Sequence, residues 1–170
     1  LPIPGLKQEN VLGAVDVLHG KQTVNGEKIA VIGGGLVGCE VAIWLAEEQG
    51  KKDITLIEGA SKLMADGYEP MPLPNRLMLE DMLEYYGADV KLSSFLKKVD
   101  GNNVIIAANG AESSIEADTV ILAMGFDPNN SLYREVYSNV PKKVWCLGDA
   151  QTPSNIMFGI RDANSVARQI

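Results

Sequence analysis

The chain has 170 residues, 46% of them hydrophobic and 22% charged, with 17 glycines, which is the composition of a globular α/β protein long enough to bury a core. No apolar run approaches the roughly 20 residues that span a bilayer, and the opening Leu1-Pro2-Ile3-Pro4-Gly5 lacks the regions of a secretory signal, so a cytoplasmic protein outside the membrane is expected. A net charge of −7 without a basic cluster makes nucleic acid a poor partner, while two distant cysteines, Cys39 and Cys146, and a single His19 leave no zinc site, dithiol centre or Ser-His-Asp triad.

Residues 1–26 are rich in Pro, Gly and polar side chains and read as an extended lead-in with a short apolar patch at 11–18. Lys28-Ile29-Ala30-Val31-Ile32 is a run of the kind buried on both faces of a parallel sheet, and it stops at three glycines. Over 36–48, Val37, Val41, Ala42, Trp44, Leu45 and Ala46 fall mostly at helical spacing, and Gly50 supplies a stop. Ile54-Thr55-Leu56-Ile57 is a second buried strand ending at Glu58. Strand, glycine turn, helix and strand make a βαβ unit with a right-handed crossover.

Pro70, Pro72 and Pro74 bar a helix across 61–74, and the loop at 68–74 either covers a ligand or simply connects. Asn75 is then expected to cap a helix running to about Tyr86, with Gly87 ending it. Residues 89–92 read as a third strand. The stretches 95–99, 104–107 and 113–117 are separated by Asp100-Gly101-Asn102-Asn103 and Asn109-Gly110, which are hairpin turn signals, so they form a β-meander inserted after that strand. Residues 119–124 return to the main sheet before Gly125. The tail reads as a polar loop, a short helix around 132–136, a strand at 143–147 ending at Gly148-Asp149, and a final helix over about 154–170.

Gly33-x-Gly35-x-x-Gly38 matches the dinucleotide fingerprint in the right context, after a buried strand and opening a helix. The first glycine permits the tight turn, the second lets backbone N–H groups approach a pyrophosphate, and the third lets helix and strand pack closely. The loop Gly33, Gly34, Gly35, Leu36, Val37 and Gly38 thus puts the positive end of a helix at the phosphates. Glu58 stands at the end of the second strand, where its carboxylate accepts bonds from the adenosine ribose and repels a 2′-phosphate, which favours NAD over NADP; Lys62 softens that preference. Glu40 lies in the first helical turn, where the dipole favours a carboxylate whatever its function. Cys39 reads as a small buried residue and His19 as a surface one.

The segments Leu1-Pro2-Ile3-Pro4-Gly5, Asp16-Val17-Leu18, residues 31–40 (VIGGGLVGCE), Ala123-Met124-Gly125 and Gly148-Asp149-Ala150 occur in the order found in two-dinucleotide flavoprotein reductases. Over nearly its whole length the chain resembles the C-terminal part of the NADH:flavin oxidoreductases of the 2,4-dienoyl-CoA reductase and enoate reductase type, which are related to pyridine nucleotide-disulfide oxidoreductases. The resemblance implies an α/β, Rossmann-like parallel sheet with the three-strand meander inserted, plus part of a second, FAD-type domain. Residues 24–122 would bind NAD(H), and 1–23 with 123–170 would belong to the FAD domain. Ala123, Met124 and Gly125 resemble the family's alanine–threonine–glycine signature with Met in place of Thr, and Gly148 with Asp149 resembles the segment that approaches FAD. The implied partner is the rest of a parent flavoenzyme, comprising the first half of the FAD domain and a TIM barrel that carries FMN and an iron–sulfur cluster. The chain is therefore expected to be a fragment without a catalytic acid or base of its own.

A stand-alone NAD-sensing module needs the fingerprint but not Gly148-Asp149 and its following helix. A methyltransferase fits the meander and the returning strand poorly. A short-chain dehydrogenase is disfavoured because no tyrosine is followed four residues later by lysine. A fragment of a disulfide reductase stays open, since its cysteine pair would lie upstream.

Overall fold

The structure is a computed structural model that describes residues 2–50, 53–65, 72–140 and 144–169. It divides into two compact units, Leu1–Gly125 and Phe126–Ile170.

The first unit is built on a five-stranded sheet of β1 (Val11–Gly13), β2 (Lys28–Ile32), β3 (Asp53–Ile57), β4 (Asp89–Lys91) and β8 (Thr119–Leu122), in the order β1-β8-β2-β3-β4. Every pairing in it is parallel, with Ala30 opposite both Thr55 and Val120. Residues of β2 alternate between two cores. Ile29 and Val31 pack with Cys39, Val41, Leu45, Leu56 and Leu83 on the face covered by helices α2 (Leu36–Glu47) and α3 (Leu73–Tyr85). Ala30 and Ile32 pack with Leu96, Val99, Val104 and Ile106 on the face covered by the meander of β5 (Ser94–Asp100), β6 (Asn103–Ala108) and β7 (Ala111–Glu116). A strand buried on both sides has no polar face to present, which is why this run reads as continuous rather than alternating. Each such buried aliphatic side chain contributes about 1.5–3 kcal/mol.

The expected extended lead-in is corrected: residues 4–10 run through turns, with Gly5 at φ +89°, and only Val11–Gly13 is strand. Ala14–Leu18 turns into helix α1 because Ala14 and Val17 are buried against the first unit while Leu12 enters the sheet edge. The expected cap at Asn75 is also corrected. Pro72 is the N-cap of α3 and Pro74 lies inside its first turn, where a missing N–H costs no helical hydrogen bond. The greater part of the proline loop, 66–71, falls outside the described residues. β8, between β1 and β2 in the sheet, stops at Leu122, two residues earlier than expected.

The second unit holds α4 (Ser131–Asn139), a 3-10 turn at Gly148–Ala150 and α5 (Ile156–Ala167). The strand expected at 143–147 is absent over its described residues 144–147, since a strand needs a neighbour to take its hydrogen bonds and none of the described residues pairs with it. None of the described side chains of this unit is buried. No helix among the described residues is long and apolar enough to cross a membrane.

Candidate functional site

The glycine loop sits where β2 ends and α2 begins, at the carboxyl edge of the parallel sheet. Gly33 takes φ +107°, a backbone region that L side chains rarely adopt, and its N–H donates to the Ile57 carbonyl at 2.8 Å. A Cβ here would lie 2.4 Å from the Ala123 carbonyl oxygen, so the first glycine lets the ends of β2 and β8 pass each other. At Gly38 a Cβ would lie 1.8 Å from the Gly33 carbonyl oxygen and 3.4 Å from the Ala123 Cβ, so the third glycine lets α2 close onto the turn. Gly35 N-caps α2 without a side-chain bond. The backbone N–H groups of Leu36, Val37 and Gly38 therefore open the helix with no internal acceptor and suit an anion.

The Gly34 peptide is held from both sides. Its N–H donates to Glu58 Oε2 at 2.5 Å, and its carbonyl accepts the Met64 N–H at 2.8 Å and the Cys39 thiol at 3.5 Å. Met64 takes φ +50° to make that bond, and the neighbouring Leu63 Cδ2 is 2.6 Å from where a Gly34 Cβ would stand. Glu58 Oε1 accepts the Ala60 N–H at 2.6 Å. Each carboxylate oxygen thus has one backbone donor and keeps lone-pair capacity for another. The carbonyls of Glu58 and Ala60 accept the N–H groups of Ser94 and Ser93, both at 2.8 Å, which ties the β4–β5 turn to the end of β3. The ring of Phe95 lies against Gly59, between those two ties.

Glu40 is exposed and lies just past the first turn of α2, which holds no acidic residue, one step later than expected, and desolvation by the surrounding protein holds its carboxyl above the usual carboxylate range. Cys39 is fully buried, as expected of a free cysteine that packs as a small core residue, and His19 is exposed at the end of α1. Ala123 donates its N–H to the Ile32 carbonyl at 2.8 Å, Met124 is partly exposed, and Gly125 at φ +87° turns the chain away in open space. The structure therefore gathers Gly33, Gly34, Gly35, Gly38, Glu58 and Ala123 into one corner of the first unit.

Gly148 and Asp149 belong to the second unit. Gly148 takes φ +56° and its carbonyl accepts the N–H groups of Gln151 and Thr152, both at 2.9 Å. Asp149 Oδ1 accepts the Ser154 N–H at 3.0 Å, and the Asn155 side chain caps α5 through the Phe158 N–H at 3.3 Å. That cap starts the helix at Ile156 and not at 154.

Sequence reasoning missed Leu63, Met64, Gly59 and Phe95. The one signal for any of them was a glycine placed directly after the acid at the strand end.

The sequence profile of the pyridine nucleotide-disulphide oxidoreductases matches residues 1–156. The chain belongs to this family. Cinnamate reductase of Clostridium sporogenes is 39% identical over 162 residues, 95% of this chain and 24% of the relative. NADH oxidase of Thermoanaerobacter brockii is 31% identical over 172 residues, 99% of this chain and 26% of the relative. In three dimensions a 2-naphthoyl-CoA reductase complexed with 2-naphthoyl-CoA superposes with a TM-score of 0.84 at 24% identity, covering 100% of this chain and 25% of that one, which shows the shared fold. The chain spans about a quarter of the length of these curated relatives.

These neighbours agree with the resemblance to NADH:flavin oxidoreductases. Membership in the pyridine nucleotide-disulphide oxidoreductases implies a pyridine nucleotide and FAD as cofactors. The residues present fit the phosphates of such a dinucleotide, because positions 33, 34 and 38 leave no room for a Cβ and the opening N–H groups of α2 are unspent.

Proposed function

We propose that this chain is the NADH-binding part of a longer flavin-dependent oxidoreductase that reduces an activated C=C bond of an enoate or a dienoyl-CoA-like thioester. Glu58 carries the reading: its carboxylate is fixed at the end of β3 by the N–H groups of Gly34 and Ala60 and is aimed at the glycine loop. Fixed there, it accepts a ribose hydroxyl on each remaining lone pair and meets a 2′-phosphate with like charge. The Leu36, Val37 and Gly38 N–H groups take the pyrophosphate, and Glu40 faces the same end of α2. Residues 24–122 serve the nicotinamide nucleotide, with β1 of the lead-in completing the same sheet, and within the second unit Asp149 keeps its second carboxylate oxygen for FAD. The glycine loop and Glu58 would hold NADH, which when bound would supply a hydride to FAD, and an iron–sulfur cluster and FMN would lie in the part of the longer enzyme outside this chain. The chain's own work is positioning. The reading places the enzyme in the cytoplasm, and the carbon–carbon reduction is supported by the names of the cinnamate and 2-naphthoyl-CoA reductases above.

Isothermal titration of Glu58→Ala with NADH and NADPH tests the role of the acid. Loss of hydrogen bonds to a charged acceptor, worth about 1.5–3 kcal/mol, should weaken NADH binding by tenfold or more and narrow its margin over NADPH. An unchanged NADH-to-NADPH ratio returns Glu58 to a purely structural part.

A further inference from the structure

We propose that Phe95 is the platform on which the adenine of the dinucleotide stacks, and that Gly59 is side-chain-free so that the ring can lie against the backbone beside the ribose. The inference rests on the NADH reading of the glycine loop and adds a binding residue that the fingerprint does not contain.

The adenine is bonded to the same ribose whose hydroxyls Glu58 accepts, so the base lies within one sugar ring of that carboxylate. The residue next to Glu58 is Gly59, and a Cβ there would lie 2.7 Å from Phe95 Cε1 and 3.0 Å from Cδ1, so any larger residue displaces the ring. The position of the ring is set by backbone. Ser94 N–H donates to the Glu58 carbonyl and Ser93 N–H to the Ala60 carbonyl, which brackets Gly59 on both sides. Ser93 holds φ +50° in the β4–β5 turn, a conformation that is costly for a residue with a Cβ, and the Ser94 hydroxyl donates to the Leu92 carbonyl at 2.9 Å.

The ring does not serve the core. Along β5 the buried residues are Ser94, Leu96 and Val99, while Phe95 points the other way and keeps 59% of its surface exposed. A single exposed aromatic is ordinary on a protein surface. This one is pinned along one side to the backbone directly after the ribose-reading acid, with the rest of its surface toward solvent. Every purine presents a π-face, and stacking a base on an aromatic side chain is worth about 1–3 kcal/mol by truncation.

The test is calorimetric titration of the 170-residue chain with NADH and with ADP-ribose, for the natural sequence, Phe95→Ser and Phe95→Trp, with thermal unfolding of each. Phe95→Ser should lose about fivefold to a hundredfold affinity for both ligands with little change in melting temperature, as expected of an exposed site. Phe95→Trp should restore the affinity, and ADP-ribose should quench the emission of the added indole. NADH binding by the natural chain together with full affinity in Phe95→Ser overturns the platform and leaves the NADH reading standing. A fall in melting temperature that Trp does not rescue overturns it too, because it makes Phe95 a packing residue. Failure of the natural chain to bind NADH removes the underlying reading and the platform with it.

Discussion

Gly38 and Glu40, two positions apart on α2, show what single residues decide here. Gly38→Ala places a methyl group 1.8 Å from the Gly33 carbonyl oxygen, a backbone atom with no freedom to move aside. The substitution should destabilise the chain by about 3 kcal/mol, the upper end for overpacking, and abolish nucleotide binding; denaturant unfolding and titration measure the two effects. Glu40 behaves differently. Desolvation raises its carboxyl pKa in the folded chain above the unfolded value, so folding favours the protonated form. That penalty is absent well below the usual carboxylate range and present above the raised pKa. Glu40→Gln should therefore melt higher than the natural chain at pH 7 and together with it at pH 3. Gly33 and Gly38 were legible in the sequence because a Cβ at either meets backbone, and Glu58 because it stands where β3 ends. The Met64 bond to Gly34 was not, since it depends on a positive φ that no residue type announces and on a loop returning from β3. Nor was the Phe95 contact, which joins segments that only the β4–β5 turn brings together.

The elements were readable wherever burial is two-sided or turn chemistry is strict. β2, β3 and β8 carry apolar side chains to both cores, and the meander is marked by its turns. Asn109 at φ +52° and Gly110 at φ +79° form a two-residue connection with both central residues left-handed, which matches the twist of the flanking strands. Gly110→Ala should cost about 1 kcal/mol, seen as a lower denaturant midpoint, with the nucleotide corner intact. Proline was the misleading signal: it forbids the interior of a helix but not its first turn, so Pro74 delayed the expected start of α3. The apolar run around Trp145 misled for the opposite reason, because a strand-like pattern is no strand without a neighbour.

At the scale of the whole chain the two units differ in kind. The first has two hydrophobic cores, one on each face of its sheet. Among the described residues the second buries no side chain, and it exposes Leu132, Ile156 and Ile160 at 71%, 82% and 63%. Local stability follows buried contacts, so amides of α4 and α5 should exchange with deuterium far faster than those of β2 and β3; equal protection would mean that the second unit is stabilised in some other way. Whether this corner holds NADH is decided by titration of the natural chain with NADH, NADPH and FAD. The expected result is a colourless protein that binds NADH more tightly than NADPH and takes up no stoichiometric FAD. Equal or reversed affinity for the two nicotinamide nucleotides contradicts the part given to Glu58, and tight stoichiometric FAD binding contradicts the part given to the whole chain.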